Sequence, residues 1–166
     1  MHRALAGITF VLWMATSSTD VRATPALADT FAFRYGDGRG NEIDTYRGTL
    51  TKDLVLLRDT TIAFTLSSAD LDTIYRELVR IRFFEMREPH PELPNCNETM
   101  APYTTIYLVA RLGSKTRSLN WSTEQPCIGR VEGDWRGLHE LQALIRRIIR
   151  RQLQYQALPN ARGGYL

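Results

Sequence analysis

"SSADLDTIYRELVRI", residues 67–81, is where the hydrophobic period of this chain changes from two to about 3.6. Leu71, Ile74, Tyr75, Leu78 and Ile81 fall on one stripe, while Asp72, Thr73, Arg76, Glu77 and Arg80 lie off it. Ser67 carries the hydroxyl that an N-cap needs, and Asp70 and Asp72 sit where the positive end of a helix dipole favours acids. The spacing predicts a helix that starts at Ser67 and runs out between Phe83 and Met86, ahead of Pro89. On both sides the pattern reverts to that of strands, so the helix interrupts a sheet.

Upstream, "TFAFRY" (30–35) puts Phe31, Phe33 and Tyr35 on one face, and "IDTYRGTL" (43–50), "DLVLLRD" (53–59) and "TTIAFTL" (60–66) follow with short connections. This reads as an antiparallel meander of four strands. Downstream, "YTTIYLVARL" (103–112), the turn Gly113-Ser114 and "KTRSLNWS" (115–122) read as two further strands. A last helix is expected from Asp134 to about Gln156, with Leu138, Leu141, Leu144, Ile145, Ile148 and Ile149 on its apolar face. The expected fold is therefore α+β: an antiparallel sheet of about six strands, in the order four-strand meander, helix, two strands, helix, with two helices packed on one face. Residues 30–157 form the single domain, and 158–166 a flexible C-terminal tail.

The start of the chain points outside the cell. Met1-His2-Arg3 is short and basic, "ALAGITFVLWMA" is apolar, and the polar "TSSTDVRA" ends in Val21-Arg22-Ala23. That order is a secretory signal peptide over residues 1–23, and the apolar run is shorter than the roughly 20 residues that span a bilayer. Cleavage is expected after Ala23, with Ala28 as the second site. No cysteine sits at the end of the apolar run, so no N-terminal lipid anchor is indicated. The mature protein is expected in the periplasm or outside the cell.

In an oxidising compartment the two cysteines, Cys96 and Cys127, read first as a disulfide. The bridge would close about 32 residues and contribute roughly 3–4 kcal/mol on a chain-entropy basis. Cys96 lies in the Pro-rich "EPHPELPNCNETMAP" (88–102) and Cys127 in a second irregular segment (123–133), the two places most in need of a tie. A metal site with His90 and His139 lacks the paired C-x-x-C or H-x-x-x-H spacing. A reactive free thiol is the remaining alternative.

"RYGDGRGNEIDTYRG" (34–48) is the one stretch that suggests ligand chemistry. Its G-x-G-x-G spacing is not a dinucleotide fingerprint, and Gly40 leads into a strand rather than a helix. As a calcium loop it places Arg39 among the ligands, although an irregular site from Asp37, Asn41 and Asp44 is conceivable. The favoured reading is a hairpin loop without chemistry. G-x-S-x-G is absent, and His139-Glu140 lacks the second histidine of H-E-x-x-H, so His139 reads as a helix-surface residue. Glu85, Glu88, Glu92 and Glu98 read as solvated loop charges, and no catalytic residue, metal or cofactor is assigned. Asn97-Glu98-Thr99 and Asn120-Trp121-Ser122 are glycosylation sequons only in a eukaryotic secretory pathway.

Two surface features remain. Trp121 and Trp135, at the end of a strand and the start of a helix, offer a stacking surface if they are not core. Arg146, Arg147, Arg150 and Arg151 form a basic helix face that suits an anionic surface, or simply complements the helix dipole. A net charge of +3 on 166 residues gives no reason to expect nucleic acid. The first functional reading is a non-catalytic binding or envelope-associated module, with a protein or an anionic envelope component as partner. An exported hydrolase with an unrecognised carboxylate or histidine site comes second, and attachment to anionic surfaces through the arginine face third.

Phe33-Arg34-Tyr35, Tyr46-Arg47-Gly48, Leu66-Ser67, Phe83-Phe84 and the helix from Leu138 to Ile149 form a shared pattern. In it, F-x-Y-x-x-G opens a strand, Y-x-G comes next, and LS-x-x-x-L leads a helix that ends in FF. In these features the chain resembles uncharacterised bacterial exported proteins of a domain-of-unknown-function family. The resemblance implies export and this fold, and no activity. Mass spectrometry of protein taken from its native compartment should find Thr24 as the first residue and, after non-reducing digestion, Cys96 joined to Cys127. An intact leader with free thiols would overturn both expectations.

Overall fold

The computed structural model describes residues 30–87, 104–122 and 133–164. Residues 1–23, expected as a signal peptide, and Cys96, Cys127, His90 and the acids Glu88, Glu92 and Glu98 lie outside the described residues. Six strands, β1 (Phe31–Asp37), β2 (Glu42–Asp44), β3 (Thr49–Lys52), β4 (Thr60–Ala63), β5 (Thr105–Leu112) and β6 (Lys115–Ser122), build one antiparallel sheet in the order β4-β3-β2-β1-β5-β6. Helix α1 (Ser68–Arg80) joins the meander to the β5–β6 hairpin, and α2 (Gly133–Arg150) and the short α3 (Leu153–Gln156) come after it. The expected α+β sheet with helices beside it is the observed one.

β1 lies inside the sheet and is paired on both edges. Phe31 to Asp37 run against Leu112 to Ile106 of β5, and Arg34 to Gly36 against Asp44 to Glu42 of β2. Alternation sends Phe31, Phe33 and Tyr35 to the inner face, with Ile43, Leu50, Ile106, Leu108, Leu119 and Trp121 beside them. Ile74 and Leu78 of α1 and Leu138, Leu141, Ile145 and Ile148 of α2 close that core. Arg34, Thr61, Thr105, Arg111, Ser118 and Asn120 point to the open face, which is polar and exposed. The aromatic face of the sheet is thus the one the helices cover.

Two of the expected strands differ. "IDTYRGTL" divides into β2 and β3, because Asp44 Oδ1 accepts the amides of Tyr46 and Arg47, at 2.9 and 3.1 Å, and Gly48 takes φ +65°. "DLVLLRD" is irregular: Asp53 Oδ1 accepts the Val55 amide at 2.7 Å, turning the chain out of the sheet before β4. The last helix also breaks. Gln152 is extended (φ −74°, ψ 130°), so α3 starts afresh after α2 ends at Arg150. The tail is tied, since Val55 and Arg162 form a parallel bridge in which the Leu56 amide donates to the Arg162 carbonyl and the Arg162 amide to that of Leu54, both at 3.3 Å.

The two long helices are clasped at both ends. Near the start of α1, buried Asp70 is ion-paired with Arg151 and accepts the Gln152 amide group at 3.0 Å. At the other end Arg80 bridges Glu77 and Glu140, at 2.6 and 2.5 Å. Between the helices, Gly137 lies so close to Ile81 that a Cβ there would come within 2.9 Å of Ile81 Cγ2, so a side chain would push the helices apart.

Ser67 caps α1 as its hydroxyl predicts, accepting the Asp70 amide at 3.1 Å. The helix stops at Arg80, earlier than expected, in a Schellman motif: Phe83 N donates to Leu78 O at 2.9 Å and Arg82 N to Val79 O at 3.0 Å. The motif needs a left-handed residue, and exposed Arg82 fills that place at φ +55°. A non-glycine residue there costs about 1–2 kcal/mol, against roughly 0.5–1 kcal/mol of extra chain entropy for glycine. Arg82→Gly should therefore raise the unfolding free energy by about 0.5–1 kcal/mol, measured by urea denaturation.

Candidate binding cleft

A cleft of about 440 Å³ opens where the C-terminal end of β1 and the end of β3 meet the last turns of α2, α3 and the tail. Inward parity on the strands supplies Tyr35 and Asp37 from β1 and Lys52 from β3, since Lys52 follows Leu50 at a spacing of two. Arg146 and Arg150, one turn apart on α2, form the opposite wall, and Tyr155 of α3 the third. Ala161, Gly163 and Gly164, held by the Val55–Arg162 bridge, close the side. Val55 itself is a β-branched residue at φ +63°, a strained conformation at the cleft wall.

Lys52 is only 9% exposed, and its Nζ lies 4.7 Å from the centroid of the Tyr155 ring. The ammonium makes no hydrogen bond or ion pair with any described residue. The Tyr35 hydroxyl is buried beside the Arg146 guanidinium. Burial pushes its phenol up, with the neighbouring Arg146 guanidinium pulling the other way. Arg146 stands 4.0 Å from Asp37 Oδ2, a loose pair, and Arg150 has no acidic partner among the described residues.

The carboxylates of the cleft are otherwise engaged. Asp37 Oδ1 accepts the amides of Arg39 and Asn41, both at 3.1 Å, and Asn41 Nδ2 donates to Asp37 Oδ2 at 3.1 Å. Asn41 Oδ1 accepts the Asp53 amide at 3.1 Å, and Asp53 Oδ1 accepts the Val55 amide. Glu42, at the rim, turns to the open face, where Arg34 Nε donates to it at 2.8 Å and the Tyr107 hydroxyl also donates. Partial burial pushes the Glu42 carboxyl up, but Arg34 and Tyr107 outweigh it and hold Glu42 below the usual carboxylate range. Tyr107 in turn is pushed up to about 12, by burial first and by Glu42 second.

The glycine-rich stretch is therefore a hairpin loop, as expected, but it also rims the cleft through Asp37, Arg39 and Asn41. Asp44 does not join Asp37 and Asn41, because its carboxylate is spent on the turn at the other end of β2. The tryptophans do not form a stacking surface: Trp121 is 3% exposed in the core, and Trp135 packs partly buried with its ring 5.1 Å from that of His139. The arginine face is divided. Arg146 leans to Asp37, Arg151 clasps Asp70, and Arg147 and Arg150 stay without acidic partners among the described residues. A shallow groove of about 640 Å³ runs along this face, lined among the described residues by one helix and Arg151 just past its end, whereas the cleft is walled by several elements. Lys52, Tyr35 and Tyr155 went unread in the sequence. The one signal for them was a lysine in phase with Leu50 on a strand.

His139 is not the surface residue its helix position suggests. It is half-buried, with Nε2 buried and unpartnered among the described residues, and burial lowers its pKa. The folded state then binds the proton less readily than the unfolded state. Its share of stability is full above the unfolded value near 6.5 and lost as pH falls through the lower folded value. Unfolding free energy should fall between about pH 7.5 and 5, and His139→Gln should flatten that slope in denaturant titrations. The chemistry of the cleft stands by itself, since no family model and no curated protein matches the chain.

Proposed function

We propose that this is an exported, non-catalytic binding protein whose site is the cleft between the sheet end, α2 and the tail. The observation that carries this reading is the division of labour among the cleft's polar groups. Asp37 and Asp53, the two carboxylates that could act as acid or base, hold backbone amides in place. Lys52 and Arg150, which can bind but are not arranged as a nucleophile with its base, line the same cleft without an acidic partner among the described residues. Such a lining holds a molecule in one orientation and supports proton transfer poorly. Attachment to an anionic surface draws less support, because Asp37 and Asp70 occupy two of the four helix arginines.

Native mass spectrometry of protein isolated from its export compartment tests the proposal. A small molecule should travel with the wild-type chain, be released intact on denaturation, and be lost from Tyr155→Ala, which removes one wall of the cleft without changing its charge. A molecule released as cleaved products would make the protein a hydrolase. Wild-type chain without any adduct would remove the cleft as a binding site.

A further inference from the structure

We infer that the ligand presents an oxyanion, a carboxylate or phosphate group, and that Lys52 and Arg150 receive it; this rests on the reading of the cleft as a binding site. A charge withdrawn from water is costly unless it is paired, and lysine is almost never fully buried alone. Lys52 is nine-tenths buried at the cleft wall, and its one described contact is the face of Tyr155. A ring face offsets part of the desolvation of an ammonium and takes none of its three N–H donors, so these are left for a ligand. Arg150, on the facing wall, adds a planar fork of donors suited to the same oxygen atoms.

The rest of the lining fits the same ligand. Tyr35, beside Arg146, lines the same cleft. Arg146 sets its charge against Asp37 at 4.0 Å, while Lys52 and Arg150 have no acidic partner among the described residues. A volume of about 440 Å³ admits a small organic molecule and not a folded partner. The Tyr155 ring, beside Lys52 in the cleft lining, offers a face for a flat or apolar body attached to the anionic group.

The test is calorimetric titration at fixed ionic strength with inorganic phosphate, glycerol phosphate and succinate, with melting curves recorded in parallel. At least one probe should bind saturably at one site per chain and raise the melting temperature; the two phosphates against succinate tell which oxyanion is preferred. Lys52→Met and Arg150→Met should each weaken that binding at least tenfold, while Lys115→Met, at a cation paired with Glu85 on the sheet's far edge, leaves it unchanged. Lys52→Met should keep the wild-type melting temperature without ligand, so that lost binding is not mistaken for lost folding. Undiminished binding in Lys52→Met would overturn the inference. So would binding by none of the probes where native mass spectrometry still recovers an uncharged molecule dependent on Tyr155, and there the cleft would remain a binding site. Absence of both would remove inference and site together.

Discussion

The pairing of β1 on both of its edges is the constraint on which the rest of the molecule depends. β2 holds one edge through three residue pairs and β5 the other through seven, so β1 joins the early meander to the late hairpin. Every inward residue of β1 then lies at the middle of the sheet, and Phe31, Phe33 and Tyr35 become the floor on which the helices rest. The helices are held in turn by charges at their ends, Asp70 with Arg151 and Arg80 with Glu140. The first clasp bears directly on the cleft: with Arg151 and Gln152 drawn to Asp70, the chain leaves α2 extended and re-enters as α3, which lays Tyr155 over Lys52.

The cleft also explains an apparent waste of polar groups. The hairpin loop at Asp37 to Asn41 uses both side-chain carboxylate oxygens to satisfy its own turn, and Asn41 extends that network to the Asp53 amide. A rim built this way is rigid without needing secondary structure. Rigidity on the acidic side and unanswered donors on the basic side are what a fixed polar orientation of a bound molecule requires.

Much of the fold was legible because its signals are local. The stripe from Leu71 to Ile81, the Ser67 cap and the alternation through β5 and β6 each depend on neighbours a few residues away, and each appears where the pattern places it. The misread segments are those where a side chain bonds its own backbone. Asp44 and Asp53 divert the chain through Asx turns inside stretches whose composition is that of strands. Arg82 ends α1 early in a conformation its side chain disfavours, against a composition that continues the helix. The cleft was illegible for a different reason. Tyr35, Lys52, Arg150 and Tyr155 share no motif, and only the three-dimensional fold brings them together.

That dispersion has a consequence for how the protein is made. The β3–β4 and β5–β6 pairings join near neighbours and can form early, whereas Phe31 meets Leu112 only after most of the chain has been synthesised, and Arg150 later still. Tyr35, Lys52 and Arg150 lie on β1, β3 and α2, so the cleft forms only with non-local closure. A molecule that occupies it therefore recognises the completed fold and no precursor, and its binding energy draws the final docking step forward. Occupancy would then act as a ratchet on maturation, protecting finished chains from proteases while leaving unfinished ones open to clearance.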